Sequence, residues 1–395
     1  MSIKQHLIDP ELCIRCYTCE NTCTVGAITH GDDNVVVDAS LCNHCMDCIA
    51  PCPTGSIDHW HWVEKPHSVE DQHGWFELPE AGPELAAEPV ADAADEAGDP
   101  AIAALLDSAH QGGGGRAVAP ASAAKPRVNQ FNLAEPLVAR VQGNRRLTDA
   151  GDDMDVHHVI LDLGDAEMER LEGQCVGVVV SGDTSPGEAH VPRLYSLSSP
   201  RDGERAGHNN ISLTVKREPD GICSNYLCDL EVGDSVKLTG PFGATFLMPE
   251  DPEARVVMIC TGTGSAPFRG FTMHRERAGG GSTPMWLFFG ARSPEALPYF
   301  GPLQKVPDTL LSKRFAYSRV PGQSKCYVQD QLRTEAGAMG ELLADARTHI
   351  YLCGHKAMEA GVDEALADIA RTQGLDWSEL KSRLRAEGRY QVETW

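Results

Sequence analysis

Eight cysteines crowd into residues 13–52, in two runs of one pattern: Cys13, Cys16, Cys19 and Cys23, then Cys42, Cys45, Cys48 and Cys52, the last followed by Pro53. Each run sets three thiols at two-residue gaps and a fourth after three residues. The second run repeats the first at an offset of 29. The residues that follow repeat as well, Thr24-Val25-Gly26-Ala27-Ile28 against Pro53-Thr54-Gly55-Ser56-Ile57. This internal duplication predicts a module with pseudo-two-fold symmetry. Three chemistries use clustered thiols. A disulfide scaffold belongs to exported domains, and two-residue gaps make poor disulfide partners. Structural zinc takes paired C-x-x-C units, four ligands per ion. Three thiolates on a tight turn with a fourth further on suit the corners of a [4Fe–4S] cubane, the reading taken forward.

A second group of residues suits anionic cofactors. Arg193-Leu194-Tyr195-Ser196 offers a guanidinium that can fork onto a pyrophosphate and a ring that can stack on an aromatic system. Taken alone, a strand tyrosine is as readily packing. Gly221-Ile222-Cys223-Ser224 opens a short helix, where free backbone N–H groups can face a phosphate. Thr261-Gly262-Thr263-Gly264-Ser265-Ala266-Pro267 is a second glycine turn of this kind, between an apolar strand and a helix. It is not the ordinary G-x-G-x-x-G fingerprint.

These residues need elements to hold them. Strand patterns at 137–141, 156–163, 175–181, 194–198, 211–217 and 235–238, separated by turn residues, predict an antiparallel barrel. From 251 onward strands alternate with helices, which predicts a parallel sheet. Its strands are expected at 255–260, 285–290, 315–319 and 350–354, with helices at 268–278, 356–371 and 377–386. Between the cysteine module and the barrel the composition changes. Residues 64–110 hold twelve acidic residues against one basic, Lys65, and prolines and a glycine run at 112–115 punctuate the stretch. Such sequence buries too little apolar surface to order itself. As a flexible tether of about 70 residues it would spread over roughly 45 Å. It reads as a solvated spacer or as an acidic surface for a partner.

Residues 1–60 resemble a bacterial two-cluster ferredoxin. The resemblance implies crossed ligation, with Cys13, Cys16, Cys19 and Cys52 on one [4Fe–4S] cluster and Cys42, Cys45, Cys48 and Cys23 on the other. Thr24 stands where that pattern has a proline after the first run. Residues 131–395 resemble the plant-type branch of the ferredoxin–NADP⁺ reductase superfamily, through the ordered motifs above and Ser318-Arg319, Lys325-x-Tyr327, Cys353-Gly354 and a terminal aromatic residue. That resemblance implies FAD on Arg193, Leu194, Tyr195 and Ser196, with Ser196 near the flavin N5. Thr214, Val215 and Lys216 would lie beside the flavin phosphate and ribose, and Gly221, Ile222, Cys223 and Ser224 would cradle the pyrophosphate. Thr263 and Gly264 would approach flavin and nicotinamide, Cys353 and Gly354 the nicotinamide C4, and Glu393 the transfer site. Ser318, Arg319, Lys325 and Tyr327 would take the adenosine end. A dianionic 2′-phosphate favours an Arg fork and a Lys point charge, so the expected donor is NADPH and not NADH. The chain departs from the family in ending on Trp395 where the plant-type branch has a tyrosine. A tryptophan stacks on the flavin by the same offset geometry and must move before nicotinamide reaches it.

The expected architecture is therefore multidomain, α+β and α/β. It comprises a two-cluster ferredoxin module (1–60), an acidic Pro/Ala/Gly-rich linker (61–130), an antiparallel β-barrel FAD domain (131–250) and a parallel-sheet NADP-binding domain (251–395). A hydride carries two electrons and a cluster takes one; flavin joins them because it accepts a pair and releases singles. No di-iron, haem or triad motif suggests substrate chemistry on this chain. Taken whole, it resembles the reductase components of benzoyl-CoA 2,3-epoxidase systems. His6-Leu7-Ile8-Asp9-Pro10-Glu11-Leu12-Cys13-Ile14-Arg15-Cys16 and Gly388-Arg389-Tyr390-Gln391-Val392-Glu393-Thr394-Trp395 carry that likeness. It implies a separate di-iron epoxidase as electron acceptor in aerobic breakdown of aromatic CoA thioesters. A general NADPH–ferredoxin oxidoreductase with a built-in ferredoxin is the alternative, and a redox-sensing carrier that does not turn over is another. The formal charge of −23 over 395 residues argues against nucleic acid or an anionic membrane as partner. No run of 18 apolar residues and no apolar leader follow Met1, and abundant free thiols fit a reducing, cytoplasmic setting.

Overall fold

The computed structural model describes residues 3–8, 10, 13, 17–31, 34–45, 48, 57, 60–63, 65–75, 78–79, 118–149, 154–180 and 192–395. Two compact units divide the chain, Met1–Ala93 and Ala94–Trp395.

In the first unit, β1 (Ile3–His6) pairs antiparallel with β4 (Trp60–Val63), and β2 (Ile28–His30) with β3 (Val35–Val37). Helix α1 (Thr18–Thr22) lies within the first cysteine run, and α2 (Val69–His73) follows β4. The core holds Ile8, Cys19, Ile28, Val35, Val37, Cys48 and Ile57. Six of these are the pairs 8/37, 19/48 and 28/57, each separated by the repeat offset of the sequence, so duplicated positions meet in the core. The unit runs past the expected boundary at 60. Gln72 of α2 accepts from the Val37 N–H at 3.0 Å and donates to the Val37 carbonyl at 2.8 Å, standing in for a strand beside β3. Gln5 makes the same reciprocal pair with His67. A capping box between Ser68 and Asp71 starts α2. Residues 60–63 and 65–75 therefore belong to the folded unit, which corrects the expected linker start at 61: the local acidity masked a capped helix and a strand partner.

The second unit begins with a six-stranded antiparallel sheet: β5 (Leu137–Arg146), β6 (Val156–Asp162), β7 (Cys175–Val179), β8 (Arg193–Ser196), β9 (Asn210–Lys216) and β10 (Ser235–Phe242), in the order β8-β7-β10-β5-β6-β9. A bridge between Leu197 and Leu213, with Ser198 N donating to Ser212 O at 2.8 Å, joins the two end strands and closes the barrel. In β5 the residues alternate inward (Leu137, Ala139, Val141) and outward, the period of a half-buried strand. Helix α3 (Ile222–Asp229) follows β9.

The remaining strands, β11 (Arg255–Thr261), β12 (Met285–Ala291), β13 (Leu311–Tyr317), β14 (Thr348–Gly354) and β15 (Tyr390–Thr394), form a wholly parallel sheet in the order β13-β12-β11-β14-β15. Between them run α4 (Ala266–Arg277), α5 (Phe300–Lys305), α6 (Val328–Thr334), α7 (Ala336–Ala344), α8 (Ala357–Thr372) and α9 (Trp377–Ala386). Central β11 is covered on both faces and reads as an unbroken apolar run, Val256 to Cys260 all fully buried. Full burial of each such side chain contributes about 1.5–3 kcal/mol. Helix α8 packs with Met358, Val362, Ala365, Leu366, Ile369 and Ala370, one helical face. The sheet order reverses between β11 and β14, and in such sheets the crevice at the carboxyl ends of those strands is where ligands bind.

The far end of the expected linker is also ordered. Val118 O accepts from Gln391 Nε2 at 2.5 Å, Ser122 O from Glu250 N at 3.2 Å, and Phe131 bridges Gly240. Residues 118–130 thus strap the parallel-sheet domain to the barrel. Two further strands differ from expectation. β15, absent from the sequence reading, adds the carboxyl-terminal residues to the sheet edge. β13 ends at Tyr317, so Ser318 and Arg319 lie in the loop beyond it and not in a strand reaching 319.

Candidate functional site

In the first unit, Cys23, Cys42, Cys45 and Cys48 line one cavity together with His6, Ala27, Ile28 and Val37. One thiol comes from the first run and three from the second, the grouping that crossed ligation requires. No three His, Cys, Asp or Glu among the described residues converge on a point that would hold a single ion. Burial pushes the Cys48 thiol up to about 12, with Cys42, Cys45 and Cys19 adding to it. A thiolate in that place would need positive charge beside it, which a bound iron–sulfur cluster would supply. Cys23 Sγ accepts a hydrogen bond from Ala27 N at 3.2 Å, the kind of contact that tunes a cluster's potential. Cys13 and Cys19 are described, and Cys19 is buried. Cys16 and Cys52, expected in the other set, lie outside the described residues.

On the barrel, β8 carries Arg193, Leu194, Tyr195 and Ser196, and the closing bridge brings its end against β9, which carries Thr214, Val215 and Lys216. Thr214 and Val215 are buried, and Lys216 pairs with Glu218 at 2.5 Å. Gly221 caps α3 with no side-chain hydrogen bond, leaving the helix start open. Ser224 Oγ donates to Gly221 O at 3.2 Å and accepts from Glu218 N at 3.1 Å, which folds the turn tight. Tyr195 reaches this helix: its hydroxyl is raised by burial and by Cys223, to which it hydrogen-bonds. Burial also raises the Cys223 thiol, while Tyr195 and Arg193 draw it down. Arg193, Tyr195 and the α3 start therefore converge on one place. Ile222, 68% exposed at that start, leaves apolar surface for a ligand. These residues fit a flavin dinucleotide, with an arginine and free N–H groups for phosphate and an aromatic ring for the flavin.

At the crevice of the parallel sheet, the turn Gly262–Ser265 packs against β9, β11, β12 and β14, so barrel and sheet share one site. A Cβ on Gly264 would stand 2.2 Å from Cys353 O, so only glycine permits the approach. Gly354 has φ 136° and lies against Thr261, whose Oγ1 accepts from His355 N at 3.3 Å. Thr263, Gly264, Cys353 and Gly354 thus form one floor. Cys353 is register partner of Glu393 on β15, and both are buried. Burial drives the Cys353 thiol well above its ordinary value, with Glu393 and Cys260 adding to it, so it stays protonated. Trp395 N donates to Gly354 O and Lys356 N to Trp395 O, each at 3.1 Å, while the indole is 55% exposed. The main chain of Trp395 is pinned, and its side chain is open to solvent.

The residues expected at the adenosine end gather at the edge of β12 and β13. Ser318 N donates to Ala291 O at 3.1 Å and Arg319 N to Arg292 O at 2.8 Å. Cys326 N donates to Tyr317 O at 2.9 Å, which turns Lys325 and Tyr327 back toward Ser318 and Arg319. Arg319 and Lys325 are exposed, and Tyr327 is 46% exposed at the start of α6. Two cations, a hydroxyl and an open ring are what a phosphorylated adenosine needs.

The sequence reading missed the residues that hold the two domains together. Tyr299, His158, Glu204 and Arg269 form a partly buried polar network between barrel and sheet, and Glu172, Arg201 and His274 form a second. Gly270 lets α4 sit against the Ser199 carbonyl, 3.2 Å from where a Cβ would stand.

A closed antiparallel barrel with an anion cradle, sharing one site with a parallel sheet at its switch point, defines an oxidoreductase that binds a flavin and a pyridine nucleotide. Residues 146–246 match the oxidoreductase FAD-binding domain family, 258–364 the oxidoreductase NAD-binding domain family and 6–29 the 4Fe-4S binding domain family. The chain belongs to the ferredoxin–NADP reductase family. It is 36% identical over 290 residues to the ferredoxin–NADP reductase of Thermosynechococcus vestitus, covering 68% of this chain and 75% of that protein. It is 34% identical over 290 residues to that of Spirulina sp., covering 98% of it. The ferredoxin–NADP⁺ reductase of Plasmodium falciparum shares the fold, with TM-score 0.54 and 22% identity over 68% of this chain and 99% of that one. No helix among the described residues is long and apolar enough to cross a membrane.

Proposed function

We propose that this protein takes electrons from NADPH and delivers them, through FAD and two [4Fe–4S] clusters, to a separate protein acceptor, the di-iron epoxidase that acts on benzoyl-CoA. The observation that carries the electron-transfer reading is the cavity walled by Cys23 together with Cys42, Cys45 and Cys48. It lies on the same chain as a family reductase core. Bound FAD would supply the change from two-electron to one-electron chemistry that joins a hydride donor to the clusters.

The chain's own residues position and shield. Arg193, the α3 start at Gly221, Ile222, Cys223 and Ser224, and the β9 end at Thr214, Val215 and Lys216 would hold the dinucleotide. Tyr195, Leu194 and Ser196 would line the flavin ring. The Thr263–Gly264 turn and Cys353–Gly354 would seat the nicotinamide, with Cys353 neutral and filling space. Ser318, Arg319, Lys325 and Tyr327 would select NADPH by its 2′-phosphate. The Trp395 indole would cover the flavin and turn aside about its own torsions without unpairing β15.

Two measurements test the reading. Iron and acid-labile sulfide must correspond to two four-iron clusters per chain; one cluster's worth refutes the two-cluster assignment. NADPH consumption with a di-iron epoxidase must rise when benzoyl-CoA is added. No substrate-dependent rise, together with ready reduction of ordinary ferredoxin-type acceptors, would favour a general NADPH–ferredoxin oxidoreductase, a reading that the relatives' names support.

A further inference from the structure

Tyr299 sits at the start of α5 with φ 61° and ψ 19°, a left-handed backbone that a bulky residue adopts only when its surroundings impose it. The side chain supplies the reason. It is 6% exposed and reaches out of the parallel-sheet domain into the barrel. There the hydroxyl lies 2.8 Å from His158 Nδ1 on β6 and 2.7 Å from Thr214 Oγ1 on β9. His158 Nε2 faces Glu204 Oε1 at 3.3 Å, and Arg269 clasps the same carboxylate, with Nη2 2.6 Å from Oε1. The Arg269 guanidinium also lies 5.0 Å over the Tyr299 ring and donates to Ser198 O at 2.8 Å.

The direction of the chain of hydrogen bonds follows from charge. Burial lowers the His158 imidazole, so it is neutral. Glu204 is held well below the carboxylate range by His158 and Arg269, against the effect of burial, and is ionised. A neutral imidazole donating Nε2–H to Glu204 must accept at Nδ1. Tyr299 therefore donates to His158 and accepts from Thr214. Every polar atom along this line has a role, and removal of one leaves a buried partner unpaired.

Thr214 belongs to the strand that the functional reading puts beside the flavin, and the nicotinamide turn Gly262–Ser265 packs on that same strand. We propose that Tyr299 is a positioning residue for hydride transfer: through Thr214 it sets the separation between the nicotinamide floor and the flavin side of the barrel. This rests on the flavin lying against β8 and β9. A displacement of an ångström between reacting groups costs up to about 100-fold in rate, so one bond at this seam has leverage on catalysis.

The experiment uses full-length holoenzyme carrying Tyr299→Phe, Thr214→Val, or both. Each removes one end of the bond at nearly constant volume. Titration with NADP⁺ is read from the flavin absorbance difference spectrum. The inference requires the amplitude at saturation to fall in Tyr299→Phe while the Kd holds. Turnover with NADPH and ferricyanide should lose about 10-fold in kcat with KM unchanged, and the isotope effect with deuterated NADPH should rise. The double variant should be no worse than the worse single one, because both cut the same link. An unchanged amplitude and isotope effect with only a lower melting temperature would overturn the inference, as would additive losses in the double variant. If Tyr299→Phe fails to fold, Thr214→Ser, which keeps the hydroxyl, must hold the wild-type amplitude and isotope effect where Thr214→Val loses them, with the flavin-to-protein ratio equal in both; equal losses in the two would overturn the inference. Wild-type protein that does not oxidise NADPH would overturn the functional reading and this inference with it. Wild-type turnover with an unaltered Tyr299→Phe would overturn this inference alone.

Discussion

Gly264 meets the main chain of Cys353 so closely that a Cβ on the glycine would lie 2.2 Å from the Cys353 oxygen and 2.5 Å from its carbonyl carbon. Cys353 lies near the carboxyl end of β14, fully buried and held between β11 and β15, and cannot retreat. Gly264→Ala must therefore push the 262–265 turn off the floor of the site. The expected result is a loss of about 10- to 100-fold in NADPH kcat/KM with the flavin-to-protein ratio intact. Normal kcat/KM in this variant would mean the turn does not seat the nicotinamide.

The Cys353 thiol is fully buried, and burial, Glu393 and Cys260 all raise it. A group raised in this way is protonated throughout pH 6–9, so kcat should show no ionisation belonging to a thiol there. Alkylation of the folded protein followed by mass spectrometry should leave Cys353 and Cys260 unlabelled until denaturant is added. Labelling of Cys353 under native conditions would contradict its positional role.

Arg319 and Lys325 are exposed cations on the one loop between β13 and α6, which the Arg319–Arg292 and Cys326–Tyr317 backbone hydrogen bonds fold back on itself. A charged hydrogen bond to phosphate contributes about 1.5–3 kcal/mol. Arg319→Leu should raise the KM for NADPH by about 10- to 100-fold and leave NADH kinetics unchanged. An equal effect on both nucleotides would place the arginine away from the 2′-phosphate.

Glu172 joins the barrel to α4. Its carboxylate is wholly buried, 2.7 Å from Arg201 Nη2 and 3.2 Å from His274 Nδ1. Burial would raise its pKa, but His274 and Arg201 hold it at about 2, below the ordinary 4.5. The folded value is depressed, so the stabilisation is complete above pH 4.5 and is lost as pH falls toward 2. It amounts to about 3 kcal/mol. Glu172→Gln should lower the melting temperature at pH 7 and flatten its dependence on pH between 5 and 3. A wild-type slope in that variant would assign the acid sensitivity elsewhere.

Gln72 completes the hydrogen bonding of Val37, and its side chain is nearly inaccessible. Gln72→Leu leaves a buried N–H and a buried C=O unpaired, a cost of about 2 kcal/mol. The visible absorbance of the cluster-loaded chain should then bleach at a lower temperature, with flavin retention unchanged. Unaltered bleaching would place α2 outside the cooperative unit.

What the sequence by itself determined is local chemistry and its repetition. Thiols at two- and three-residue gaps, an arginine and tyrosine on one short strand, and glycine turns before helices act over a few residues, so their spacing is legible. The 29-residue offset predicts a module with pseudo-two-fold symmetry, and the core of the first unit holds Ile8 with Val37, Cys19 with Cys48, and Ile28 with Ile57. What only the tertiary structure decided is long-range. Tyr299 is 85 residues from Thr214 and 141 from His158, and Gln72 is 35 from Val37. No local pattern encodes such partners, because hydrogen bonds and ion pairs depend on distance in space, which the chain sets only after the sheets have closed. The boundary at 61 failed for the same reason. Acidic composition predicts solvation of a free segment, but a capped helix whose glutamine completes a neighbouring strand gains order from partners elsewhere in the chain.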